Sequence, residues 1–135
     1  MRVDGADLVV DSTQASWFGG NNDPMDSGET ASGLLTKGHP ELLGCSLPMH
    51  YVGSNGPTRA AMDGCPIPML PYRKTLVQVT RNGDSLMLPL IDIGPAKYTH
   101  HGIDLTIAAF KHFEPNLKVG LIQVSFRIIG GALHL

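Results

Sequence analysis

The sequence predicts a mainly β, single-domain protein, and three observations carry that expectation. Sixteen Gly and ten Pro divide the chain into short segments, a pattern of many turns and few long helices. Asn82-Gly83, set between two apolar runs, is the strongest short-range hairpin signal. Near the C-terminus, Ile122, Val124, Phe126 and Ile128 alternate with polar residues, the period of a half-buried strand. A chain of 135 residues, 42% hydrophobic and 16% charged, is long enough for one core and too short for two.

In order along the chain, Leu8-Val9-Val10 reads as an edge strand or a tail, which sets residues 1–13 apart from a domain at 14–129. Ala15 to Phe18 is the domain's first strand and ends at Gly19-Gly20. Residues 21–38 are small, polar and turn-forming, hence a loop, with Thr30 to Gly33 as its return. Pro66 to Pro71 is an extended lead into a strand at 75–80, and the chain returns after the hairpin through Ser85 to Ile91. The near-continuous hydrophobicity of that return predicts burial on both faces. Pro89 must then meet a gap or a bulge, because it has no N–H to donate. A helix is expected at 106–113, a closing strand at 119–129 and a tail at 130–135.

Charge and hydropathy exclude several partners. A net charge of −2 with the six His neutral offers no electrostatic footprint for nucleic acid or anionic membranes. No run of 18 apolar residues exists that would span a bilayer. Met1 to Asp7 lacks the basic start and apolar segment of a secretion signal.

Two carboxylates stand where a scaffold usually presents chemistry. Asp92 ends an apolar strand just before Gly94-Pro95, and Asp104, twelve residues on, leads into the helix at Thr106. The bland alternative for Asp104 is a helix-start residue bonding backbone amides. Tyr98 in the polar loop 96–101 is a natural platform for stacking against a sugar, with His100 or His101 donating N–H to the sugar's hydroxyls; the same loop also reads as an ordinary solvated loop. Ser16 and Thr30 point hydroxyls either into a cleft or at backbone groups in turns, the latter being the preferred reading for Thr30. Cys45 and Cys65 bracket a Gly-containing stretch. A disulfide there would contribute roughly 3 kcal/mol, and the competing reading is two unpaired thiols. The cysteines and histidines have no zinc-type spacing, so neither a metal nor another cofactor is expected.

Five segments, in order, resemble one family. Ala15-Ser16-Trp17-Phe18-Gly19, Glu29 to Gly33, Lys74 to Asn82, Asp92-Ile93-Gly94-Pro95 with Gly102 to Phe110, and Val119 to Ile129 together resemble the double-psi β-barrel domains of the rare-lipoprotein-A type. These are related to expansins and to the barrel of MltA-type lytic transglycosylases. The resemblance spans about residues 14–129. It implies a six-stranded double-psi β-barrel with one or two short helices, a peptidoglycan or other polysaccharide strand as partner, and a cell-envelope or secreted location, or a phage origin. It also implies a lytic transglycosylase in which one Asp serves as acid and then base; Asp92 takes that part and Asp104 binds substrate or tunes it. Ser16 matches a hydroxyl residue lining the expansin groove. One departure stands out: many members carry a His just before Thr-Leu-Pro, where this chain has Cys45-Ser46. Either His50 supplies that group or it is absent. The alternative function is a non-catalytic expansin-like glycan-binding or wall-loosening module, or a structural barrel of a phage or envelope assembly.

Overall fold

Asn82 and Gly83 take φ of 51° and 81°, the left-handed pair that a two-residue hairpin turn requires. They join β4 (Leu76–Arg81) to β5 (Asp84–Ile93), whose register runs from Arg81↔Asp84 to Leu76↔Pro89. The remaining elements of this computed structural model, which describes residues 2–19, 30, 34–47, 75–93 and 102–134, build on that hairpin. They are β1 (Arg2–Asp4), β2 (Asp7–Phe18), β3 (Cys45–Leu47), β6 (Ile103–Thr106), α1 (Ile107–Phe113) and β7 (Ile122–Ile128). The strands follow the order β1-β2-β6-β3-β5-β4-β7, and β7 pairs back onto β2. Six strands therefore close a barrel, with β1 folded as a hairpin onto β2. The pairs β2–β6 and β3–β5 are parallel and the others antiparallel. The expected mainly β fold, a six-stranded barrel with short helical elements, is the one that forms.

The barrel is filled from all sides. Val77 and Val79 of β4, Leu88 and Leu90 of β5, Leu105 of β6, Phe110 of α1, and Val124 and Phe126 of β7 are buried in one cluster, each large apolar side chain contributing roughly 1.5–3 kcal/mol. Trp17 is half-buried against this cluster and donates its indole N–H to the Leu117 carbonyl at 3.0 Å. That bond ties β2 to a 3₁₀ turn at Leu117–Val119, which Asn116 caps through its side chain. The closing strand consequently begins at Ile122 rather than at Val119.

Three segments differ from the sequence reading. Leu8 to Val10 are not an edge strand or a tail but the first half of β2; they pair with β7 from Leu8↔Ile128 to Val10↔Phe126 and are buried. β2 is 12 residues long, so what read as two segments is one strand. The return strand β5 alternates over most of its length, with Met87 45% exposed between half-buried Leu86 and buried Leu88. Only Leu90 and Ile91 are buried in succession. Pro89 is accommodated by direction: Leu90 donates its N–H to Thr75 at 2.9 Å, so the neighbouring Pro89 nitrogen faces the other edge, where β3 only begins at Cys45. Residues 131–134 form a 3₁₀ turn in which Ala132 donates to the Ala6 carbonyl at 2.9 Å.

Two bulges change which side chains face outward. Between Val10 and Thr13, β2 advances three residues while β7 advances two, from Phe126 to Val124. Between Leu90 and Asp92, β5 advances two residues while β3 advances one, from Cys45 to Ser46. Each extra residue inverts the inside–outside alternation beyond it. In β2 the inward set passes from Leu8 and Val10 to Ala15, so Ser16 turns outward. In β5 the inward set ends at Leu90, so Asp92 turns outward too. The extra residue Ile91 is seated over Gly44, where an added Cβ would stand 2.7 Å from Ile91 Cδ1.

Candidate functional site

The two inversions place four polar side chains side by side on four neighbouring strands. Ser16 of β2 is the register partner of Asp104 of β6, Asp104 is the partner of Ser46 of β3, and Ser46 is the partner of Asp92 of β5. Residues paired in this way share a face of the sheet. Their neighbours Ala15, Ile103, Leu105, Cys45, Leu47 and Leu90 all belong to the core cluster, so the row Ser16, Asp104, Ser46, Asp92 lies on the outside of the barrel. Asp92, Asp104 and Ser16 are half-buried, and Ser46 is only 3% exposed.

Asp104 is held in place by Ser16, whose hydroxyl donates to Oδ1. The N-cap Thr106 makes no side-chain cap bond; its Oγ1 accepts from the Gly44 N–H at 3.2 Å, and its own N–H donates to the Gly44 carbonyl at 3.1 Å. β6 is thereby pinned to the segment before β3, and Gly44 is fixed under both Thr106 and Ile91. On the β2 side, Gly102 donates to the Gln14 carbonyl at 3.0 Å and packs so closely on Thr13 that a Cβ there would meet Oγ1 at 2.1 Å. The two glycines let the strands that carry Asp104, Ser46 and Asp92 approach closely.

Of the other residues singled out in the sequence, Thr30 gives both its hydroxyl and its N–H to the Leu34 carbonyl, at 2.8 and 3.1 Å, closing a turn. His50, Tyr98, His100 and His101 lie outside the described residues. So does Cys65, whereas Cys45 is a free thiol. The expected Cys45–Cys65 bridge thus falls in part outside the described residues. The Cys45 side chain points into the barrel among Leu47, Leu90 and Leu105, where it acts as a small apolar residue, and burial pushes its thiol far above the ordinary range. Sequence reasoning missed Ser46, which it met only as a substitute for a family histidine; its signal was a small polar residue between buried Cys45 and Leu47.

A second group of carboxylates, in the N-terminal hairpin, is differently supplied. Arg127 of β7 donates to Asp7 at 2.9 Å and to Asp4 at 2.6 Å, and Arg2 donates through Nε and Nη2 to Asp11 at 2.8 and 2.9 Å. The Gly130 N–H first, and Arg127 second, hold the Asp7 carboxyl below the ordinary carboxylate range. Arg2 does the same for Asp11. Among the described residues no group of three His, Cys, Asp or Glu is placed to hold a metal ion, and no helix is long and apolar enough to cross a membrane.

No family model and no curated protein matches the chain. Among solved structures, the Streptomyces papain inhibitor is similar, with a TM-score of 0.62 and 19% identity over 93% of this chain and 96% of that one. At that identity the likeness speaks for the fold.

Proposed function

We propose that this barrel is a lytic transglycosylase-like enzyme of the rare-lipoprotein-A kind, cleaving peptidoglycan or a related polysaccharide strand with Asp92 as its acid. The observation that carries the reading is the row itself: two carboxylates and two hydroxyls in register on one outer face, reached only because two strands bulge. The strand delivers Asp92 to this face half-buried, and partial desolvation favours a protonated carboxyl. Asp104 accepts from Ser16 and so acts as an acceptor beside it. In the reaction, Asp92 gives its proton to the glycosidic oxygen as the bond from C1 breaks, and the sugar's own 6-hydroxyl attacks C1. The proton lost by that hydroxyl returns to Asp92, leaving a 1,6-anhydro end without consuming water. Asp104 positions the substrate or tunes Asp92.

Digestion of purified sacculi, with mass spectrometry of the soluble muropeptides, tests this. Anhydro ends that disappear in Asp92→Asn support it, and their absence from the wild-type digest defeats it. Sacculus binding without release would move the reading to a non-catalytic, expansin-like module. A second reading is favoured by the near full-length likeness to the Streptomyces papain inhibitor: a protein-binding barrel that blocks a papain-type protease. Titration of papain activity with the same preparation distinguishes it, since stoichiometric inhibition with no muropeptide release would replace the enzymatic reading.

A further inference from the structure

Ser46 is the register partner of both Asp104 and Asp92, and at 3% exposure its hydroxyl is largely removed from solvent. A buried hydroxyl without a hydrogen bond costs about 1–3 kcal/mol, and Ser46, Asp92 and Asp104 are all engaged by a polar or electrostatic partner. Neighbouring strands lie about 4.8 Å apart, so the two aspartates stand on the order of 10 Å apart at Cα, with Ser46 midway. That is far for a direct bond between carboxyl groups and near for one hydroxyl to serve both. A hydroxyl has one proton to give and lone pairs to receive. Asp104 already accepts from Ser16, which marks it as the acceptor end.

We propose that Ser46 is a positioning residue that joins the two aspartates in one directional hydrogen-bond chain: protonated Asp92 donates to Ser46 Oγ, and Ser46 donates to the Asp104 carboxylate. The chain gives the Asp92 proton a defined acceptor while substrate is absent and fixes the carboxyl group for transfer. The catalytic importance of this arrangement rests on the reading of Asp92 as the acid; the hydrogen-bond chain itself does not. On this face, β2 from Gln14 onward carries Gln14, Ser16 and Phe18, β3 carries Ser46, and β6 carries Asp104 and Thr106. Asp92 and Asp104 are the titratable groups that these strands and the bulged end of β5 present there among the described residues, and His39, which lines a pocket with Phe18 and Thr106, is the titratable group that the segment before β3 adds.

The test is a carboxyl-carbon NMR titration of the full chain as wild type, Ser46→Ala, Ser46→Thr, and each of these with Asp104→Asn. Removing the hydroxyl takes away the acceptor of the Asp92 proton, so the Asp92 midpoint should fall in Ser46→Ala by on the order of one pH unit, and Ser46→Thr should restore it. Asp104→Asn should move the Asp92 midpoint more when residue 46 carries a hydroxyl than in the Ser46→Ala background, where only through-space repulsion remains. Equal Asp92 midpoints in wild type and Ser46→Ala, or an equal effect of Asp104→Asn in both backgrounds, would overturn the proposal. Should Ser46→Ala fail to fold, Ser46→Cys, nearly the same size with a weak donor, takes its place with the same expectations. The pH profile of muropeptide release is a separate arm: its alkaline limb should move to lower pH in Ser46→Ala. A wild type that releases no anhydro ends removes the enzymatic reading and leaves the titration result standing.

Discussion

Asp4, Asp7 and Asp11 in the N-terminal hairpin and Asp92 and Asp104 in the outer row are the same residue type on the outside of the same barrel, set in different company. Each of the first group is met by a guanidinium at 2.6 to 2.9 Å, and Arg127 joins β7 to β1 and β2 by bridging two of them. The second group is arranged with hydroxyls, Ser16 on Asp104 and Ser46 between the two. A carboxylate matched to a guanidinium is fixed as a charge. One matched to a hydroxyl keeps the option of trading a proton, because its partner is itself both donor and acceptor. On the proposed function, this difference in partners is what separates structural from chemical aspartates.

On the proposed function, the largest effect that separates the groups is the one on muropeptide release. Asp92→Asn should cut muropeptide release by 10²-fold or more, as expected for loss of a general acid, and leave the melting temperature nearly unchanged. Asp7→Asn should leave release intact. Ser16→Ala should cost on the order of tenfold in release, since a hydrogen bond to a charged group is worth roughly 1.5–3 kcal/mol and part of it will be made up by water. Gly44→Ala should destabilise by about 1–3 kcal/mol through overpacking against Ile91, read as a lower melting temperature, and Ile91→Ala in the same chain should recover part of the loss. Release should fall with Gly44→Ala as well, because Ile91 is the residue that aims Asp92.

The pH dependence of stability gives a smaller effect, confined to the hairpin. The folded-state value of Asp7 is depressed, so its contribution is present above the ordinary carboxylate value near pH 4 and is lost as pH falls through the lower folded value. Thermal melts from pH 5 to pH 2 should show a shallower acid decline in Asp7→Asn than in wild type, at a lower starting stability. Arg2→Ala, which breaks an exposed pair, should be the least visible change, detectable only at low salt.

Much of the barrel was legible because its local signals agree. Asn82-Gly83 fixes one hairpin, the alternation from Ile122 to Ile128 fixes the closing strand, and Asp92 and Asp104 stand out as charges at the ends of apolar runs. Asp11 and Ser12 broke the pattern of β2 in a way that reads as a strand end, since a bulge with a polar residue looks like a turn when no partner strand is visible. Leu90-Ile91 read as burial on both faces of a whole strand when only its bulged end has that property. Ser46 was illegible as a site residue for a related reason: pairing with two aspartates far away in the chain is a fact of register between β3, β5 and β6, and no local pattern encodes it.

The bulges also bear on how such a site is inherited. Deleting Ile91 would leave Asp92 directly after Leu90 and still facing outward opposite Ser46, because the ladder of β3 and β5 would then run without the extra residue. Keeping Ile91 in a regular ladder would do the opposite: Ile91 would stand opposite Ser46, and Asp92 would turn with Leu88 toward the barrel interior, where a carboxylate is expensive to bury. The space over Gly44 that receives Ile91 is therefore what keeps Asp92 on the outer face. A relative with the same four residues and a bulkier side chain in place of Gly44 would have kept the letters of the row and lost the row.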